Sequence, residues 1–236
     1  MKKILLLHGW NDDNYTSMTK SKDAWHNRKK FVDELSKEYD IYKLNFPGFC
    51  GEEEPKQSEW NLEDYANYVK EYLDNNNLKV DYILGYSFGG AVAIEYASMF
   101  DNKQKLILVS PAIIRNYKKT IRFIKTPKCF RKIRNSLRNL YLKYIIKNEY
   151  IIHGTNFLNN SYQNIVRVNL INQLEQLNPY NITIIYGTKD NMVNPEYINN
   201  NININFKNRI FFIKDGTHDI ANTNTKELID IIKEQV

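Results

Sequence analysis

The hexapeptide Gly85-Tyr86-Ser87-Phe88-Gly89-Gly90 holds a serine between glycines two residues to either side. An apolar run, 80–84, precedes it and small residues, Ala91 to Ala97, follow. A strand that turns sharply into a helix needs this pattern. Side chains at positions 85 and 89 would collide with neighbouring backbone, so Gly85 and Gly89 support the turn and the serine oxygen is pushed outward. The oxygen then stands at a helix N-terminus, whose dipole favours developing negative charge. The chemistry such a serine performs is nucleophilic attack on a carbonyl.

A serine hydroxyl is a weak nucleophile until a base takes its proton. Of the four histidines, His8, His26, His153 and His218, the last lies in Asp215-Gly216-Thr217-His218, directly after the apolar run 209–213. That loop opens at the carboxyl edge of the sheet, as Ser87 does, where open α/β sheets bind ligands. His26 reads as a helix-surface residue, and His153 falls in an inserted segment. The orienting acid should lie between nucleophile and base in the chain. Asp190, in Gly187-Thr188-Lys189-Asp190 after the run 182–186, meets this condition. Asp215 and Asp219 are rivals, too near His218 in sequence to serve as easily. An oxyanion needs two backbone donors. Phe88 N–H, next after the serine, is one. Trp10 N–H, in the loop His8-Gly9-Trp10 after the first apolar run, is the other. Gly9 lets that backbone come close, and His8 suits a hydrogen bond bracing the loop.

These residues need a frame. Apolar runs at 3–7, 40–44, 80–85, 105–110, 182–186 and 209–213 alternate with helix-length amphipathic segments, the pattern of a parallel sheet wrapped by helices, hence an α/β fold. Asp23 can cap a helix running to about Lys37, and Asn61 or Leu62 opens another. A third starts near Ser87 and a last follows Thr225. The segment 112–179 breaks the rhythm. Phe130, Ile133, Leu137, Leu140, Tyr141, Tyr144 and Ile145 recur at helical spacing, so it reads as a mostly helical insertion.

At 236 residues, 42% hydrophobic and 25% charged, the chain has the composition of one globular domain with a full core. No apolar run approaches the roughly 20 residues that span a bilayer. Cys50 and Cys129 give no disulfide framework, which fits reduced thiols and a cytoplasmic location. The net charge of +6 is uneven: 112–148 carries twelve Lys or Arg and no Asp or Glu, leaving −6 for the rest. Three readings of this basic segment stand: a solvated helical face, a cap drawing in anionic substrates or touching a lipid surface, and a nucleic-acid surface. The third lacks any recognised motif, and no nucleic-acid partner is expected.

The motifs His8-Gly9-Trp10, Asn45-Phe46-Pro47-Gly48, Gly85 to Gly90, Gly187 to Asp190 and Gly216-Thr217-His218 occur in the order of the α/β-hydrolase fold family. The chain resembles its small serine esterases and C–C-bond hydrolases with a helical cap, and the likeness covers everything outside the insertion. It implies a mainly parallel core sheet (1–111 and 180–236) with a basic helical cap (112–179). It also implies acyl transfer through a covalent acyl-enzyme, with no cofactor and no metal. Two departures stand out. The first run matches the family's third strand, so its leading antiparallel hairpin is expected to be absent. Asn45 stands where many relatives have Asp, and Glu52-Glu53-Glu54 makes the next loop acidic; both bear on substrate. A serine at the elbow argues against epoxide hydrolases and haloalkane dehalogenases, which use Asp.

The expectation is a serine hydrolase of a small carboxylic ester or thioester, with Ser87, His218 and Asp190 as its triad. A C–C-bond hydrolase or lyase using the same three residues, or a ligand-binding protein on the same scaffold, remains open.

Overall fold

The computed structural model describes residues 1–100, 103–114, 148–193 and 195–235. The twelve basic residues between Arg115 and Lys147, Cys129 and the apolar spacing from Phe130 to Ile145 lie outside these.

Six strands form one sheet: β1 (Lys2–Leu7), β2 (Tyr39–Leu44), β3 (Tyr82–Tyr86), β4 (Lys105–Val109), β5 (Ile182–Gly187) and β6 (Ile210–Ile213). Their order is β2-β1-β3-β4-β5-β6, and each pairing is parallel. The four inner strands were legible as apolar runs because most of their residues are buried from both sides, while the edge strands β2 and β6 bury only their first and last residues. Leu5 and Leu7 of β1 enter one half of the core while Ile4 and Leu6 enter the other. A strand covered on both faces gains nothing from a polar side chain on either.

One face is covered by α2 (Leu62–Asn75) and α3 (Phe88–Met99), and the other by α1 (Lys29–Leu35), α9 (Ile220–Thr223) and α10 (Thr225–Gln235). Asn61 caps α2 through a reciprocal box: its Oδ1 accepts from the Asp64 amide, and the Asp64 carboxylate accepts from the Asn61 amide. Helix α3 is buried nearly all round, and its alanines and glycines let it press against both the sheet and α2.

The helix expected from Asp23 begins later. Asp23 Oδ1 accepts from the Trp25 amide at 2.8 Å, but this closes a tight turn. The backbone then passes through a single 3-10 turn, His26–Arg28, before α1 starts at Lys29. The Ala24 amide is held by Asn45 Oδ1 instead of entering a helix. His26 therefore sits half-buried in that turn, with Nδ1 against the Asp23 carbonyl, not on a helix surface.

The described part of 112–179 is helical after Asn148: α4 (Glu149–His153), α5 (Asn156–Ile165) and α6 (Ile171–Glu175). Between β5 and β6 lie α7 (Pro195–Asn201) and α8 (Ile204–Lys207). No helix among the described residues is long and apolar enough to cross a membrane. Cys50 is a buried free thiol whose pKa burial pushes up to about 11, so it remains protonated near neutrality.

Candidate active site

The chain leaves β1 toward β2 on one side and returns to place β3 on the other. Such a switch point opens a crevice beyond the carboxyl ends of β1 and β3. The loop after β1 carries His8, Gly9 and Trp10, and the turn after β3 carries Ser87 and Phe88.

Ser87 has φ 52° and ψ −110°, a backbone state costing a non-glycine residue about 1–3 kcal/mol. The surroundings enforce it. The Ser87 amide donates to the Val109 carbonyl at 2.9 Å, and its own carbonyl accepts from Gly90 and Ala112, each at 3.0 Å. The flanking glycines are obligatory by contact. A Cβ at Gly85 would lie 2.5 Å from the Gly89 carbonyl oxygen, and one at Gly89 would strike the carbonyls of Leu7 and His8. The loop after β1 also runs close to the elbow, since a Cβ on Gly9 would stand 3.3 Å from that of Ser87.

His218 Nε2 lies 2.9 Å from Ser87 Oγ, and His218 Nδ1 lies 2.8 Å from Asp190 Oδ2. A carboxylate can only accept, so Nδ1 carries the ring proton and Nε2 turns its lone pair toward the hydroxyl. The Asp190 side chain is fully buried, and its other oxygen accepts from the Met192 and Val193 amides at 2.9 and 3.2 Å. Both oxygens are occupied, which fixes the carboxylate plane. The two loops are also tied to each other, as the Lys189 amide donates to the Gly216 carbonyl at 2.8 Å. The rival acids are engaged elsewhere: Asp215 pairs with Lys189, and Asp219 with Arg28.

Phe88 is the first residue of α3, where no intrahelical acceptor exists for its amide. The Trp10 indole packs edge-on against Phe49 and Phe88 at 5.1 Å, and its Nε1–H donates to Tyr15 Oη at 2.6 Å. The ring at position 10 is thereby held beside the elbow. His8 braces this loop. Its Nε2 accepts from the Phe46 amide at 3.0 Å, so Nδ1 bears the proton and donates to the Gly9 carbonyl at 2.8 Å. Burial holds its pKa down at about 4, which keeps the ring neutral.

Helices α4 and α5 approach from the same side. Tyr15 Oη donates to the Tyr150 carbonyl at 3.2 Å, His153 Nδ1 lies 2.8 Å from Asp12 Oδ2, and Tyr162 packs on Trp10 at 5.5 Å. Asn45 takes part in holding a loop: Oδ1 accepts from Ala24 and Nδ2 donates to the Lys22 carbonyl at 2.8 Å. Behind the site, Arg28 escaped the reading of motifs, as did the contacts that join it to Tyr86 and Asp219. Tyr86 Oη donates to the His218 carbonyl at 2.6 Å, while Arg28 stacks on the Tyr86 ring and pairs with Asp219. Their side chains meet from positions about 190 residues apart in the chain, a relation that no local pattern announces.

Residues 2–149 match the family model described as the alpha/beta hydrolase fold. Among solved structures, the chain is similar to a bromoperoxidase from Bacillus anthracis (TM-score 0.68, 18% identity, 99% of this chain and 91% of that one). It is similar also to the meta-cleavage product hydrolase CumD from Pseudomonas fluorescens IP01 (TM-score 0.66, 16% identity, 100% and 90%). An esterase from Exiguobacterium antarcticum follows (TM-score 0.64, 14% identity, 100% and 92%). Among curated proteins, 111 residues are 28% identical to the dihydrolipoyllysine-residue acetyltransferase component of the acetoin cleaving system of Cupriavidus necator. The match takes in 46% of this chain and only about a quarter, 26%, of that relative's length. With the family model spanning well over half of its length, this chain belongs to the alpha/beta hydrolase fold family.

Proposed function

We propose that the protein is a serine hydrolase of a small carboxylic ester or thioester, with Ser87 as nucleophile, His218 as general base and Asp190 as the acid that orients it. The observation that carries this reading is the continuous chain of contacts Ser87 Oγ–His218 Nε2 and His218 Nδ1–Asp190 Oδ2, at 2.9 and 2.8 Å. As Ser87 Oγ attacks the acyl carbon, its proton passes to His218 Nε2. The carbonyl electron pair moves onto oxygen, where the Trp10 and Phe88 amides stabilise it. Collapse of this intermediate breaks the bond to the leaving group, which takes the proton from His218. A water then repeats the sequence on the acyl-enzyme, releasing the acid and restoring Ser87.

Segment 112–179 serves as the cap over the core formed by 1–111 and 180–236. The contacts of α4 and α5 with Asp12, Tyr15 and Trp10 support that arrangement. The test pairs a fluorophosphonate probe with p-nitrophenyl and thioester substrates of increasing acyl length. Ser87 labelling together with turnover, both absent from Ser87→Ala, is expected. Labelling without turnover of any ester or thioester would redirect the reading to C–C-bond cleavage. Turnover retained in Ser87→Ala would reject it.

A further inference from the structure

Two adjacent residues grip His218 from opposite ends. Ser87 faces the imidazole, while Tyr86, pointing to the other side of the sheet, donates its hydroxyl to the His218 main-chain carbonyl at 2.6 Å. Burial pushes the Tyr86 phenol well above its ordinary pKa, so it stays a donor. Asp219 Oδ1 lies 3.2 Å from the same hydroxyl and receives Arg28 Nη2 at 2.9 Å. The Arg28 guanidinium covers the Tyr86 ring, 4.4 Å from its centre, and the Arg28 side chain is only 15% exposed. The remaining Asp219 oxygen accepts from Asn222 Nδ2 at 2.9 Å, and its carbonyl accepts the amides of Asn222 and Thr223 that open α9. Every polar atom of the Asp219 side chain is therefore directed at holding the chain one residue beyond His218.

We propose that Arg28, Tyr86 and Asp219 form a clamp on the main chain at His218 and are positioning residues for the base. The proposal rests on the reading of His218 as that base. Its physical logic is that a ring oriented by Asp190 can still swing with its loop. A carbonyl fixed by Tyr86 removes that freedom, and small misplacements of a reacting group cost rate steeply. Arg28 acts one step back, neutralising Asp219 and packing the ring that carries the hydroxyl.

The test compares the full chain with Tyr86→Phe, Arg28→Met and Arg28→Lys. Three readouts apply: deuterium uptake of residues 214–220, fluorophosphonate labelling of Ser87, and kcat and KM for p-nitrophenyl acetate. Tyr86→Phe should speed uptake in that loop and lower kcat about tenfold while KM moves less than about twofold. Arg28→Met should do the same, and Arg28→Lys should recover part of the loss. An active enzyme whose kcat stays within about twofold in both Tyr86→Phe and Arg28→Met overturns the proposal, whatever the loop does. If the unsubstituted chain neither labels nor turns over, the base reading has failed and uptake alone decides. Faster uptake in Tyr86→Phe then upholds the clamp, and unchanged uptake removes it.

Discussion

Asp190 meets His218 with one carboxylate oxygen, at 2.8 Å from Nδ1, and spends the other on the amides of Met192 and Val193. The acid thus fixes both the tautomer and the plane of the imidazole. Asp190→Asn presents an amide that can donate to Nδ1, turning the ring's proton toward the serine side. The expected result is a fall in kcat of about 10⁴-fold, the size seen when a triad acid is so replaced elsewhere. Steady-state kinetics on p-nitrophenyl acetate would measure it, with the melting temperature as a check on folding. A kcat near that of the original chain would remove Asp190 from the triad.

Gly89→Ala tests the elbow as a packing constraint. Its new Cβ meets the Leu7 and His8 carbonyls, which belong to the inner strand β1 and the loop after it and cannot withdraw without disturbing the β1–β3 pairing. The expected loss is about 2–4 kcal/mol of stability, seen as a lower urea midpoint with unchanged slope. A midpoint equal to that of the original chain would mean that the turn is looser than described.

His8 links folding to pH. Burial lowers its folded pKa from 6.5 to about 4, so between those values the unfolded chain binds a proton that the folded one refuses. Stability from this residue is present above pH 6.5 and is lost as pH falls toward 4. The loss reaches at most about 3 kcal/mol. His8→Gln, able to accept from the Phe46 amide, should flatten the urea-measured stability across this window relative to the original chain. Equal pH slopes in the two proteins would refute the assignment.

Asn45→Asp tests the departure from the family's motif. The Asn45 amide both accepts from Ala24 and donates to the Lys22 carbonyl. Aspartate cannot donate, and would set its charge against that carbonyl. A loss of about 1–2 kcal/mol is expected in urea unfolding, with the acyl-length profile unchanged. A changed profile at unaltered stability would return Asn45 to substrate selection.

Much of the sheet and the three contacting side chains were readable in advance, for physical reasons. Strands buried on both faces leave unbroken apolar runs, and an elbow that excludes Cβ atoms leaves glycines at fixed spacing around Ser87. Asp190 and His218 were found because each follows such a run. What escaped depends on distant partners. Arg28 lies before a helix and Asp219 beside a histidine, and only the closed fold brings them to 2.9 Å. The late start of α1 escaped for a related reason. Asp23 has the chemistry of a helix cap, but the next amide, that of Ala24, is claimed for a turn by Asn45, 21 residues beyond Ala24.

The parallel sheet also has a consequence in time. β4 finds its outer neighbour only when Ile182 pairs with Leu106, so 76 residues must follow before that edge is covered. At ribosomal speeds of about 5–20 residues per second, the interval is roughly 4 to 15 s. Throughout it Leu106 to Val109 present an apolar, unpaired margin to the cell, open to chaperones and to aggregation alike. Shortening the segment between the two strands would shorten that exposure, which ties the risk to this margin during synthesis to the number of residues between β4 and β5 as well as to the finished fold.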